Sequence, residues 1–196
     1  MTGGAAFPPE AIKQAKAELR AAIIARRDAA DVASRIRHSQ SITQKLLALP
    51  EYRAAAVVAA YASFGSELDT SALLARILAD GKLLLLPRIH RAQRALELRH
   101  VEDPGVDLVA GVWGIREPAE RCRIVSPEKV EFMLVPGVAF TAGGARLGYG
   151  GGFYDRLLTS LDQRAVRIAA AFDLQMVEQL PEGPHDQRVG KVVTER

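Results

Sequence analysis

The chain has 196 residues, 48% apolar and 25% charged, the balance of an ordinary soluble globular protein with room for a sizeable core. Lys plus Arg number 26 against 23 Asp plus Glu, a net charge of +3, and aromatics reach only 6%. Neither a basic nucleic-acid face nor a stacking platform for single strands is indicated. The lone cysteine, Cys122, excludes an intrachain disulfide and fits a reducing compartment. His38, His90, His100 and His185 are scattered without ligand spacing, which argues against zinc. No apolar run approaches the roughly 20 residues of a membrane span, and MTGGAAFPPE lacks the regions of a signal peptide. A cytoplasmic protein is expected.

Residues 10–37 carry Ile12, Ala15, Leu19, Ala22 and Ile23 at helical spacing among strong helix formers, which predicts a long first helix. A second helix over about 35–49 stops at Pro50. AAAVVAAYASF (54–64) reads as a buried strand, on Val57, Val58, Tyr61 and the polar turn that follows. Asp69 or Thr70 caps a helix through SALLARILAD, and Gly81 ends it. KLLLLPRI then makes a second buried strand, completing a strand–helix–strand unit and hence a parallel pair. ALELRHVE (95–102) alternates like an edge strand, WGIREP (113–118) is irregular, and FMLVPGVAF (132–140) is another buried strand closed by the turn TAGG. A glycine loop, a short helix over 154–161, a strand RIAAAFD (167–173), a helical turn QMVEQL and a last strand KVVTE complete the chain. The sum is one α/β domain over 10–196, a mostly parallel sheet flanked by helices, after a flexible tail over 1–9.

RLGYGGGFYDR (146–156) sets four glycines within five residues, between a predicted strand and a predicted helix. Ligands of α/β sheets bind beyond the carboxyl ends of strands. Bare backbone there lets N–H groups approach a phosphate, with Arg146 and Arg156 and the helix start adding positive charge. The string is neither a Walker A loop nor a complete G-x-G-x-x-G, because Phe153 stands at the third glycine. A tight packing turn is the competing reading. Asp155 is either an early-helix acid or a hard oxygen ligand beside phosphates. Lys16 and Arg20 share a helix face, solvated or ligand-binding. Glu67 is a loop acid or the grip on a ligand's polar edge, and His185-Asp186 reads as a surface loop pair.

Together these segments resemble the 5-formyltetrahydrofolate cyclo-ligase family. RLGYGGGFYD is similar to its R-L-G-x-G-x-G-Y-Y-D run, Lys16 to Arg20 to K-x-x-L-R, ELDT (67–70) to E-x-[DE]-T, GKLLLLPRI to G-K-x-x-x-x-P-R and WGIREP to G-I-x-E-P; HD (185–186) and VVTE (192–195) resemble its ending. The likeness runs in order from about residue 13 to 195. It implies a fold similar to the sugar-phosphate isomerase and CoA-transferase group. It also implies an ATP- and Mg2+-dependent cyclisation of 5-formyltetrahydrofolate to 5,10-methenyltetrahydrofolate, with small-molecule partners only, in a monomer or weak homodimer.

The resemblance further implies roles. Lys16, Arg20 and Arg146 are phosphate clamps. Leu147, Gly148, Tyr149, Gly150, Gly151, Gly152, Phe153 and Tyr154 complete the ATP site, with Arg146 and Tyr149 in the catalytic set. Ala62, Glu67 and Trp113 join residues 149–153 against the folate. Asp155 and Asp186 are the magnesium positions, two carboxylates that would repel without a cation. Phe153, Thr141-Ala142 and Val189-Gly190 depart from the family's usual residues. The alternatives are a non-catalytic phosphosugar- or nucleotide-binding regulatory domain of similar fold and, opposed by the weak net charge, a nucleic-acid-binding protein.

Overall fold

The computed structural model describes residues 9–90, 92–111 and 114–196; Trp113 and the expected tail, except Pro9, lie outside the described residues. Helix α1 (Pro9–Asp28) is followed by α2 (Val32–Ala48). The single helix expected over 10–37 is therefore two. Asp31 accepts from the Ser34 N–H at 2.8 Å and caps α2, a local bond that competes with continuing α1. Pro50 does end α2, and also opens α3 (Pro50–Ala54), where its missing N–H costs no helical bond.

Strand β1 (Val57–Ala59) is shorter than the apolar run around it, and the chain turns at residues 65–67 towards α4 (Ser71–Ala79). Of the two expected caps, Asp69 receives the Ser71 N–H at 2.9 Å, while the Thr70 hydroxyl donates to the Tyr61 carbonyl at 2.8 Å. Next come β2 (Leu83–His90), the antiparallel edge β3 (Ala95–His100), the short α5 (Pro104–Asp107), and the pair β4 (Leu108–Ala110) and β5 (Arg116–Pro118). Part of the stretch expected to be irregular is thus strand. The strand expected over 132–140 splits into β6 (Phe132–Val135) and β7 (Ala139–Phe140), because Pro136 offers no N–H to a ladder. The Gln175 amide instead donates to the Gly137 and Val138 carbonyls, at 3.2 and 3.0 Å.

After β8 (Arg146–Leu147) the glycine loop leads to α6 (Phe153–Thr159), then β9 (Val166–Ala170), a 3-10 turn over Asp173–Gln175 and β10 (Lys191–Val193). The helical turn expected over 175–180 lies earlier. Residues beyond it run beside β7 instead, the Val177 N–H donating to the Phe140 carbonyl at 2.8 Å.

The main sheet has the order β10-β9-β6-β1-β2-β3, parallel except for β2–β3. Period-two alternation sorts its residues to two cores. Val58, Leu84, Leu86, Phe132 and Leu134 meet Ile42, Leu46, Leu73 and Ile77 of α2 and α4. Ala59, Leu85, Met133 and Val135 meet Leu157 and Leu158 of α6. Each fully buried leucine or isoleucine contributes about 1.5–3 kcal/mol. From β1 the chain fills the sheet first towards β3, then returns to lay down β6, β9 and β10 on the other side. The switch point lies between β1 and β6, and their carboxyl ends open onto one crevice.

Helix α1 crosses this crevice. Ile23, 1% exposed, packs with Val138, Ala139 and Leu147, backed by Leu19 and Ile24, so the helix sits on the hairpin that feeds the glycine loop. The hairpin turn uses the Thr141 hydroxyl, which accepts from the Ala145 N–H at 3.1 Å. This gives a physical use to one departure from the family's residues. At Gly144 φ is +80°, and a Cβ would lie 2.1 Å from the Val189 carbonyl oxygen. The Val189 N–H donates to the Gly144 carbonyl at 2.9 Å, anchoring the loop that carries Asp186. Gly144→Ala is expected to cost about 2–4 kcal/mol through the left-handed backbone and the clash, read as a lower urea midpoint.

Candidate active site

The crevice is a cleft of about 850 Å³. Lys16 and Arg20 reach it from α1, Ala62 and Glu67 from the loop after β1, residues 146–155 from β8, the glycine loop and the start of α6, and Asp186 from the loop before β10. Every site residue expected from the sequence lines it, except Trp113, which lies outside the described residues. Sequence reasoning missed Tyr61, Phe64, Pro87, Ile89, Leu96 and Glu117 on its wall. Except for Glu117, these are apolar or aromatic residues of strands and loops, whose character signals core as readily as pocket; Glu117 is the acid of the WGIREP segment.

The glycines have two reasons to be glycine. Gly150 and Gly152 hold φ of +99° and +64°, conformations that strain any side chain. A Cβ on Gly151 would lie 2.6 Å from the Phe153 ring, so bare backbone there makes room for the protein itself as well as for a ligand. Helix α6 is only two turns long, and the cations beside the loop carry most of the positive field.

Those cations are already partnered. Arg20 Nε donates to the Gly148 carbonyl at 2.8 Å, which ties α1 to the loop. Lys16 Nζ pairs with Asp186, whose Oδ2 also accepts from the Gly183 N–H at 2.6 Å. Arg146 Nη2 meets Asp155 Oδ1 at 2.6 Å, and its side chain is only 2% exposed. Among the described residues its buried Nε has no partner. Arg146 is thus a buried support for Asp155 rather than an open clamp. Arg156 lies outside the cleft wall; its guanidinium sits 5.2 Å from the Phe153 ring centroid and donates to the Arg94 and Gly151 carbonyls.

Asp155 and Asp186 belong to one patch, because the N–H of Gln187, the residue after Asp186, donates to Asp155 Oδ1 at 3.1 Å. The repulsion expected between them is relieved by Arg146 and Lys16, one cation for each acid. No group of three or more acidic, histidine or cysteine side chains able to hold a metal occurs among the described residues.

Across the cleft Glu67 is 9% exposed. Burial pushes its carboxyl above the ordinary glutamate range, against the opposing pull of the Tyr149 hydroxyl, the Phe64 N–H and Arg27. Tyr149 Oη donates to Glu67 Oε1 at 2.6 Å, and the Phe64 N–H to Oε2 at 3.2 Å. A carboxylate has about four acceptor positions, so one on each oxygen stays open for a pair of parallel N–H donors. The Tyr149 ring also packs on Phe64, centroids 5.4 Å apart.

A glycine loop flanked by cations and a buried carboxylate with open acceptor positions thus share one cleft. A sequence profile of the 5-formyltetrahydrofolate cyclo-ligase family matches residues 12–195. The 5-formyltetrahydrofolate cyclo-ligase of Haemophilus influenzae is 36% identical over 146 residues, 72% of this chain and 77% of that protein. Its Mus musculus counterpart is 28% identical over 193 residues, 94% of this chain and 95% of the other. The NMR structure of Aquifex aeolicus 5,10-methenyltetrahydrofolate synthetase superposes with a TM-score of 0.82 at 36% identity, covering 92% of this chain and 90% of that one. A 5,10-methenyltetrahydrofolate synthetase from Mycoplasma pneumoniae, at TM-score 0.75 and 21% identity over 92% of this chain and 99% of its own, shares the fold. Profile, relatives and superposition agree over nearly the whole length, and the chain belongs to the 5-formyltetrahydrofolate cyclo-ligase family.

Proposed function

We propose that this protein is an ATP-dependent ligase that closes 5-formyltetrahydrofolate to 5,10-methenyltetrahydrofolate, releasing ADP and phosphate. The observation that carries the reading is the single cleft in which Lys16, Arg20 and the glycine loop face Glu67, joined to family membership over residues 12–195. Membership favours catalysis over a regulatory phosphosugar- or nucleotide-binding domain. On the same reading the enzyme is cytoplasmic, acts on small molecules alone, and works as a monomer or weak homodimer. No helix among the described residues is long and apolar enough to cross a membrane.

Phosphoryl transfer asks for positioning and charge neutralisation more than for a covalent nucleophile. Lys16 and Arg20 hold the phosphates, and loop N–H groups cradle them. The formyl oxygen takes the γ-phosphoryl group as the bond to the β-phosphate oxygen breaks. N10 then attacks the activated carbon and gives up its proton; the carbon–oxygen bond breaks, and phosphate leaves with that oxygen. Glu67 receives the N–H donors of the pterin through its open acceptor positions, while Ile89, Leu96 and Pro87 present an apolar wall to the rings. Tyr149 and residues 150–153 stand between the two substrates, with Ala62 beside the folate.

The donor chemistry at Asp155 and Asp186 suits Mg2+. Both are hard oxygen ligands in one patch, and two carboxylates leave positions for phosphate oxygens and water. When bound there, the ion neutralises charge on the phosphates. Arg146 keeps Asp155 in place, and Lys16 holds Asp186 until the phosphates draw the lysine away.

The direct test is incubation with 5-formyltetrahydrofolate and Mg·ATP. Methenyl-folate absorbance is expected to appear, with one ADP per turnover; folded protein that makes none under any Mg·ATP condition overturns the reading. Lys16→Ala is expected to raise KM for ATP about tenfold with a small change in Tm, since the lysine side chain is 20% exposed. Asp155→Asn is expected to cut kcat about a hundredfold and also to lower Tm, because it strands the buried Arg146. Asp186→Asn is expected to weaken the Mg2+ dependence while sparing Tm. Rates at limiting Mg2+ together with calorimetry separate the two carboxylates. Only ionised Glu67 accepts both pterin donors, and burial holds its proton to higher pH than at an exposed glutamate. The acid limb of kcat/KM for the folate is therefore expected above the ordinary glutamate range, activity rising with pH through it, and Glu67→Gln is expected to abolish that limb.

A further inference from the structure

Arg27, at the end of α1, lies outside every motif of the sequence and is only 3% exposed. Its Nη2 donates to the Tyr149 hydroxyl oxygen at 2.9 Å and its Nε to Ser66 Oγ at 3.0 Å. The Ser66 hydroxyl in turn donates to Asp28. A guanidinium only donates, so each hydroxyl beside it must send its own proton elsewhere. The Ser66 proton goes to Asp28, and the Tyr149 proton goes to Glu67 Oε1, 2.6 Å away. Asp28, Ser66, Arg27, Tyr149 and Glu67 form one directed chain, with a single cation between two acids.

The chain joins two parts of the cleft. Tyr149 stands between Gly148 and Gly150, in the middle of the phosphate cradle, and the Gly148 carbonyl accepts from Arg20. The Tyr149 hydroxyl nevertheless ends on the carboxylate at the opposite wall. Ser66 precedes Glu67 in the turn, so Arg27 holds the acid from both its backbone side and its acceptor side.

We propose that Arg27 is a positioning residue: through Tyr149 and Ser66 it fixes the Glu67 carboxylate and ties the glycine cradle to it, so that each substrate strengthens the binding of the other. The proposal rests on the reading of Glu67 as the acceptor of the pterin donors. By linkage the strengthening must be reciprocal. A cradle held by phosphates holds Tyr149, and Tyr149 holds the carboxylate.

The test measures binding of 5-formyltetrahydrofolate with and without a non-hydrolysable ATP analogue, and steady-state rates, for wild type, Arg27→Met, Arg27→Lys, Tyr149→Phe and the double variant Arg27→Met/Tyr149→Phe. Wild type is expected to bind the folate more tightly with the analogue present. Arg27→Met is expected to lose that gain and to raise KM for the folate about tenfold, with kcat changed less. Arg27→Lys recovers part of it, and Tyr149→Phe, which removes one hydroxyl from a ring 40% exposed, shows the same pattern. The double variant is no worse than either, as members of one chain require. If Arg27→Met does not fold, Tyr149→Phe decides. Independent binding of the two substrates in wild type overturns the proposal, as does Tyr149→Phe with full coupling, or a fall in active fraction with both KM values unchanged. Glu67→Gln separates the premise: unchanged folate affinity there overturns the reading of Glu67 and the proposal with it, whereas weakened affinity alongside wild-type behaviour of the Arg27 and Tyr149 variants overturns the proposal alone.

Discussion

A parallel sheet that grows from its middle must change direction once, and here the change falls between β1 and β6. Strands on either side send their connections away from one another, which leaves the carboxyl ends of these two strands uncovered. All else about the site follows from that opening. The loop after β1 brings Ala62 and Glu67 to one wall, and the chain beyond Pro136 brings the hairpin and glycine loop to the other. Helix α1 covers the remaining side, with Ile23 packed on that hairpin and Arg20 bonded to the Gly148 carbonyl, and this docking turns Lys16 and Arg20 towards the cleft and Arg27 towards Tyr149.

Charges gathered in such a crevice must be neutralised before any ligand arrives, since buried unpaired ions are costly. The protein does this internally: Lys16 with Asp186, Arg146 with Asp155, Arg27 between Asp28 and Glu67 through two hydroxyls. The cations and acids of the site form closed pairs. On the proposed function an anionic substrate competes for cations already oriented, and little side-chain freedom remains to be lost on binding. The buried Arg146 pair differs from the more open Lys16 pair. One maintains the scaffold, and the other can exchange partners.

The sequence made the architecture legible wherever the apolar pattern was clean. The continuous apolar runs in KLLLLPRI and FMLV and the helical stripe in SALLARILAD carry over to β2, β6 and α4. It was misleading where one polar or cyclic residue overrides a long pattern. Asp31 ends a helical run by capping the next helix, and Pro136 cuts an apolar strand in two. The glycine loop was readable as a place of bare backbone at the cleft, but the positive φ of Gly150 and Gly152 and the collision a Cβ on Gly151 would meet at Phe153 are properties of the folded backbone. Glu67 was visible as a motif acid, and its burial was not. Arg27 could not be found in the sequence at all, because Tyr149 and Ser66 reach it only after distant segments have packed.

The Lys16–Asp186 pair joins positions 170 residues apart in the chain, and the loop bearing Asp186 is held by Val189 and followed by the edge strand β10. The binding cleft is therefore closed by the first helix and the last loop. During synthesis, α1 and the early strand–helix–strand unit emerge first, without a sheet neighbour for β1 on its far side. That missing neighbour exposes apolar strand surface until residues 132–135 arrive. The cleft wall that carries the glycine loop stays incomplete until nearly the whole chain has been made. A nascent or C-terminally truncated chain then has the glycine loop but no anchored Asp186. Non-local closure of this kind also makes for slow folding, and ligands that bridge the two ends act on the final docking step rather than on the early β–α–β nucleus.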